Sequence, residues 1–277
     1  MPTLHTQALI LRSVDFGESD LILHLLTPDT GRLTVIAKGA RRSKKRFPGT
    51  LDFFNHLDVQ IERRRPTSMA RLEHARLRRT LHGPRSDPRR FALGCYLLEL
   101  LDRLAPEGGA RVDHRRLFAF GLGALELIDA RSPDPGLRVL LEVRALDALG
   151  LGPELTRCVR CGEVPEGNAG PVGFHVGDGG PYCSRCLAEG QHLLPVHVGT
   201  LRALQQSRSL PTRQLGRLAL RGGALEEARI LVTRFLRFHV GLDLRSVAFL
   251  DAQLTPPNAN GRLPPRPPEP IPTGGAR

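Results

Sequence analysis

Hydrophobic and polar residues alternate at strand period through the first 80 positions, and the period lengthens to three- and four-residue steps after Asp87. Residues 7–14 form an apolar run. Over residues 19–27, Leu21, Leu23 and Leu25 alternate with Ile22, His24 and Leu26, as in a buried strand. Pro28-Asp29-Thr30-Gly31 turns the chain into a third strand over residues 32–38. Leu57, Val59 and Ile61 then alternate with Asp58, Gln60 and Glu62, and residues 71–80 supply a weaker fifth strand. Five short strands in so few residues predict a small closed barrel. The oligonucleotide-binding (OB) barrel is one such solution, and an SH3-like barrel has a similar strand count, so periodicity leaves that choice open.

Beyond Asp87, Pro88 sits where a helix start tolerates it. Phe91, Cys95, Leu98 and Leu101 or Asp102 recur at helical steps, with Leu97, Leu100 and Leu104 widening the face, which predicts a core-facing helix. Further helices are predicted over residues 115–130, 136–149, 199–207 and 224–242, with breaks at Pro133, Pro135, Pro153 and Pro211. Cys95 reads as a small hydrophobe in the core, not a nucleophile. After Leu254 the chain carries eight prolines and few large apolar residues, the composition of a disordered tail. The predicted fold class is α+β and multi-domain. A five-stranded OB-type β-barrel (1–80) precedes an all-α helical domain (81–250) with an inserted four-cysteine zinc module (156–190), and a disordered Pro-rich tail (251–277) follows.

Charge sharpens this picture. The 277 residues hold 40 Lys plus Arg against 28 Asp plus Glu, a net charge of +12. Residues 1–80 alone hold 15 basic and 8 acidic side chains, so most of the excess lies in the barrel. It is densest in the loop Lys-Gly-Ala-Arg-Arg-Ser-Lys-Lys-Arg, where Lys38, Arg41, Arg42, Lys44, Lys45 and Arg46 are the cations. Such a loop repels itself and stays extended unless a polyanion supplies counter-charge, and nucleic acid is the commonest polyanion. Trp is absent and Tyr occurs twice, so phosphate contact rather than base stacking should carry the affinity. Phe47, Phe53 and Phe54 read as core residues in preference to stacking platforms. Arg63, Arg64 and Arg65, with Arg76, Arg78 and Arg79, either extend the basic surface or are solvated strand ends. No basic segment followed by an apolar run opens the chain and no uncharged stretch approaches 18 residues, so a soluble, intracellular, cytoplasmic protein is expected.

Cys158, Cys161, Cys183 and Cys186 form two Cys-x-x-Cys pairs separated by a glycine-rich insert. Each pair is a turn presenting two thiolates on one side, and two such turns close a tetrahedral shell around one structural zinc ion. Reduced structural cysteines or a redox pair are the alternatives. His175, His192 and His197 lie nearby in sequence but lack ligand spacing. Asp15, Glu18 and Asp20 read as turn chemistry, not as a divalent-metal site. Asp15-Phe16-Gly17 matches a kinase tripeptide without any of its companion motifs, and no phosphate-binding glycine loop or paired-carboxylate motif is present. An enzyme is therefore not expected, and an RNA-binding barrel with a zinc ribbon is the alternative to a DNA-binding protein.

The basic Lys-Gly-Ala-Arg-Arg loop in an N-terminal barrel, the helical domain and the late paired cysteines together resemble the RecO family of DNA repair proteins. The segments carrying the resemblance are residues 14–20, 35–42 and 146–151 and the cysteine pairs. The proline-rich tail and the glycine-rich cysteine insert depart from it. The resemblance implies a recombination mediator without turnover that binds single- and double-stranded DNA and anneals complementary strands. It further implies contact with the C-terminal tail of single-stranded-DNA-binding protein and cooperation with RecR in loading RecA. Lys38, Arg41, Arg42, Lys44, Lys45 and Arg46 are the positions it marks for DNA contact.

Overall fold

A computed structural model describes residues 3–43, 45–63, 68–107, 113–165, 170–187, 192–241 and 244–254. Five strands, β1 (Thr3–Phe16), β2 (Asp20–Thr27), β3 (Gly31–Ala37), β4 (Asn55–Glu62) and β5 (Ala70–Thr80), close into a barrel in the order β1-β2-β3-β5-β4. Closure needs one parallel contact, Val35 opposite Ala70 and Ile36 opposite Arg71, between β3 and β5. The first strand is longer than its apolar run because it serves two partners. Its polar start, Thr3 to Leu9, pairs with β4, and after a bulge near Ile10 the rest pairs with β2.

Alternation then sorts the side chains. Ala8, Ile10, Leu23, Leu25, Leu57, Val59, Ile61 and Leu72 fill the barrel interior. Leu9, Leu11 and Leu26 point the other way and join the core of the helices. These strands are buried on both faces where helices cover them, which explains the near-continuous leucines of β2.

The helices are α1 (Gly83–Ser86), α2 (Pro88–Leu104), α3 (His114–Ala130), α4 (Pro135–Ala148), α5 (Val198–Ser209), α6 (Gly222–Val240) and α7 (Val247–Leu254). Asp87, Asp113 and Asp134 cap α2, α3 and α4 by accepting backbone N–H groups of the first turn. Pro135 thus starts a helix instead of breaking one. In α2 the deepest face is Leu93, Leu97, Leu100, Leu101 and Leu104, whereas Phe91 is 42% exposed and Cys95 only half-buried. Of the predicted stripe, Leu98 and Leu101 are buried, whereas Phe91 and Cys95 lie on the flank of the buried face. The last helix runs to Leu254, so residues 251–254 are helical and not part of a tail; the remainder of the predicted tail lies outside the described residues. Among the described residues no helix is long and apolar enough to cross a membrane.

Barrel and helices meet through a polar joint as well as through leucines. His24 Nδ1 lies 2.6 Å from the buried Asp102 carboxylate, Arg32 lies 3.5 Å from the same group, and the Arg32 Nε donates to the Ala105 carbonyl at 3.0 Å. A second contact puts the buried His56 against Phe118, with Nε2 2.9 Å from Gln7 Oε1. Burial, seconded by the nearby Arg78, lowers the His56 pKa below its ordinary 6.5. The unfolded chain then holds a proton that the folded one releases, so this stabilisation is present above pH 6.5 and is lost as the pH falls through the lowered value. Between pH 7.5 and about 5.5 the thermal midpoint of the parent should fall more than that of a His56→Gln variant. Parallel curves would remove His56 from the account.

Phe54, just before β4, adopts a positive φ of 65° and is 2% exposed, packed with the core of the helices against α2. It fits only because Gly94 of α2 lacks a side chain; a Cβ there would lie 2.6 Å from the Phe54 ring. Gly94→Ala should therefore cost about 1–3 kcal/mol, the usual range for overpacking, and lower the denaturation midpoint. A midpoint equal to the parent's would show that the ring has room to move.

Candidate nucleic-acid interface and cysteine cluster

The basic loop is a folded turn, not an extended arm. Gly39, at φ 65°, starts a single 3-10 turn over Ala40–Arg42. The Gly39 amide donates to the Asp20 carboxylate at 2.7 Å and the Arg41 amide to the Ser19 carbonyl at 3.0 Å, which binds the turn to the β1–β2 connection. Counter-charge comes from the same place. Lys38 lies 3.3 Å from Asp20, Arg41 3.4 Å from Asp15 and Arg42 3.4 Å from Glu18. The Gly39 amide first, then the Lys38 ammonium, hold Asp20 below the usual carboxylate range against the opposing effect of desolvation. Asp15, Glu18 and Asp20 are thus counter-ions for the loop.

Arg46 reaches the opposite way, with Glu73 at 3.7 Å, and its guanidinium also donates to the Lys38 carbonyl. Lys45 is exposed and makes no ion pair among the described residues, and Lys44 lies outside them. The expectation that the loop stays extended for want of internal counter-charge is corrected by these pairs. They do not bury the cations: the side chains of Lys38, Arg41 and Arg42 remain 53%, 46% and 71% exposed. Ion pairs so exposed are worth about 0–1 kcal/mol, weak enough for phosphate to replace the carboxylate.

Phe47 and Phe54 are core residues and Phe53 is half-buried. Of the other basic positions, Arg63 is exposed, and Arg64 and Arg65 lie outside the described residues. Arg76 and Arg78 face outward and share Asp58, at 3.5 and 2.9 Å, whereas Arg79 turns to Glu126 and Asp129 of α3.

The four cysteines lie beyond α4, far along the sequence from the barrel. Their sulfurs all lie within 4.8 Å of one another, with Cys161 and Cys183 3.5 Å apart, and this group could hold a metal ion. The first knuckle is shaped by Gly162, at φ 79°, whose amide donates to the Cys158 carbonyl at 2.8 Å. The second is the 3-10 turn Ser184–Cys186, closed by the Cys186 amide on the Cys183 carbonyl at 3.0 Å. Burial resists ionisation of Cys158, but the backbone N–H groups of Cys183, Cys161 and Arg160 outweigh it and bring the thiol down to about 6. Cys186, hydrogen-bonded to the sulfurs of Cys161 and Cys183, is pushed up to about 12. Four thiols converging this closely form a donor set that a cation could complete by displacing their protons.

Around the knuckles lies a three-stranded sheet that hydrophobic patterning does not reveal, in the order β7-β6-β8, from β6 (Val172–His175), β7 (Gly180–Tyr182) and β8 (Leu194–Val196). The last of these falls beyond the residue-190 limit predicted for the module. Gly180 has to be glycine, because a Cβ would sit 2.3 Å from the Val159 side chain of the first knuckle. The histidines stay out of the cluster. His175 stacks on Tyr182 at 5.4 Å, His197 lies 2.5 Å from Glu227, and His192 is exposed.

Comparison with known proteins connects these features. Residues 1–81 match the family model described as Recombination protein O N terminal, and residues 85–248 match Recombination protein O C terminal. The chain is 35% identical over 251 residues to the DNA repair protein RecO of Anaeromyxobacter dehalogenans (strain 2CP-C), covering 91% of this chain and 97% of that one. It is 29% identical over 251 residues to the DNA repair protein RecO of Syntrophus aciditrophicus (strain SB), covering 90% and 95%. The DNA repair protein RecO of Rhodopirellula baltica is 32% identical over 204 residues, 74% of each chain.

Proposed function

The chain belongs to the RecO family of DNA repair and recombination proteins, and from that premise we propose that it is a DNA-binding recombination mediator with no enzymatic turnover of its own. It binds single- and double-stranded DNA without sequence preference, anneals complementary strands, and with RecR helps load RecA onto DNA coated by single-stranded-DNA-binding protein, whose C-terminal tail it contacts. It works in the cytoplasm, on the nucleoid.

The observation carrying this reading is the exposed cationic turn on the barrel. Lys38, Arg41, Arg42, Lys45 and Arg46 project from one short segment, and among the described residues of that segment no recognition helix accompanies them to read base edges. A surface of that kind screens the repulsion between two strands while holding each weakly enough to slide into register. The cysteine cluster takes a structural zinc ion, one per chain. Zinc bound to four thiolates at about 2.3 Å has sulfur–sulfur edges of about 3.8 Å, a distance the cluster's spacing accommodates. Four protein ligands close the shell, so the metal supplies bonds that hold the two knuckles and no site for chemistry.

Annealing of complementary oligonucleotides tests the proposal. Purified protein should accelerate pairing of DNA strands at low salt, lose the effect as salt rises, and leave both strands intact in the presence of magnesium. Preference for RNA in competition between equal-length strands would favour the RNA-binding alternative, and cleavage would contradict a protein without turnover.

A further inference from the structure

We infer that a single strand of DNA lies in a trough on the outer wall of the barrel, across β1, β4 and β5, and that this trough supplies the net positive field the loop lacks. The inference rests on the DNA-binding reading above and assigns it a path. Strand register builds the trough floor in rows: His5, Gln60 and His74 stand opposite one another across the three strands, and Gln7, Asp58 and Arg76 form the next row. The row after that, Leu9, His56 and Arg79, lies under α3, through the His56–Phe118 contact and the Arg79 ion pairs. The helix covers one end of this wall and leaves the other open.

The open end is a cleft of about 860 Å³. Its rims bring together cations that sequence separates: Lys45 and Arg46 from the basic loop, Arg76 and Arg78 from β5, and Arg115 from the first turn of α3. Against these five charges stand three carboxylates: Asp58, already shared by Arg76 and Arg78; Asp29, which accepts from Thr6; and Glu73, 3.7 Å from Arg46. Arg115, like Lys45, makes no ion pair among the described residues. The loop cluster differs, since Lys38, Arg41 and Arg42 are matched one for one by Asp20, Asp15 and Glu18. Field lines from unmatched charges concentrate in a walled cleft, so a polyanion is drawn to the trough first.

The lining also selects the kind of polyanion. Small-molecule pockets are mostly apolar, whereas this floor is made of amide and imidazole groups that hydrogen-bond sugar, phosphate or base edges. Three strands span two interstrand spacings, about 10 Å. A duplex holds its two backbones about 12 Å apart across the major groove, so both cannot enter a floor about 10 Å wide, while one sugar-phosphate chain fits between the rims.

Two measurements on the full-length protein test the trough. In the wild type, acetylation of lysines in the presence of a thymidine oligonucleotide should leave Lys45 protected and Lys38 reactive. Protection of Lys38 with Lys45 unprotected would overturn the assignment. In variants that melt as the parent does, Arg76→Ala with Arg115→Ala should flatten the plot of log affinity against log salt by about 1.4, two contacts at about 0.7 each for a single strand. Arg41→Ala with Arg42→Ala should change it by less than half as much. The reverse ranking would place the strand on the loop and sink the trough, leaving DNA binding itself intact. Absence of any binding by the wild type would remove the functional reading too.

Discussion

Replacing Cys158 and Cys183 together by serine should release the metal and open the segment around both knuckles while the barrel stays folded. Both residues are buried, and with Tyr182 they form a small core of their own, against which Val159, Cys186 and Leu193 pack. That core is too small to hold without a covalent or coordinate staple. Zinc contributes about 10–16 kcal/mol in isolated finger peptides, but here β6 and β8 also lean on the helices through Phe174, Leu194 and Val196, so the loss should be nearer ~4 kcal/mol. At about 2–4 °C per kcal/mol for a chain of this size, the midpoint should drop by about 8–16 °C. The measurement is metal content per chain together with calorimetry and proteolysis. One zinc per wild-type chain and none in the variant, with new cleavage confined to the cysteine module, is expected. A variant without metal that melted like the parent would deny the cluster its bracing role.

The second large effect concerns the basic loop. Changing Lys38, Arg41, Arg42, Lys45 and Arg46 to alanine should weaken binding of single-stranded DNA by about 100-fold at low salt. Without Lys45 and Arg46 the trough forgoes two charge-assisted hydrogen bonds to phosphate, and at roughly 1.5 kcal/mol each they account for a factor of that size. The same change leaves Asp15, Glu18 and Asp20 without the cations that pair with them, and their bare charge repels the strand further. Asp15→Asn with Glu18→Gln makes the opposite prediction: it frees Arg41 and Arg42, so affinity should rise and its salt dependence steepen. Fluorescence anisotropy of a labelled oligonucleotide reads both. Equal affinities across the three proteins would show that the loop does not meet DNA.

How much of this was legible in the sequence depends on whether a feature is local. Leu57, Val59 and Ile61 against Asp58, Gln60 and Glu62 announce β4, and the barrel follows from five such patterns. The cysteines announce themselves because two Cys-x-x-Cys pairs are a local spacing, and the fold gathers their sulfurs into a group that could hold a metal ion. The polar opening of β1 does not read as a strand, since its pairing with β4 owes nothing to hydrophobicity. Strands β6, β7 and β8 are three or four residues long, and Gly173 and Gly180 interrupt what alternation they have. Most consequential is the electrostatics. The basic loop looks uncompensated along the chain because Leu21 lies opposite Ala37 only once β2 and β3 pair, which sets Asp20 beside Lys38. Arg115 carried no signal at all; only the docking of α3 on the barrel brings it to the cations of β5.

The central claim is that cationic charge in and beside the barrel, not the cysteine cluster, holds DNA. Its most direct test is the salt dependence of oligonucleotide affinity in the wild-type protein. Five trough cations on the phosphates of one strand predict a slope of about −3.5 in log affinity against log salt, unchanged in the Cys158→Ser, Cys183→Ser variant. An affinity indifferent to salt, or a slope that disappears with the cysteines, would contradict it.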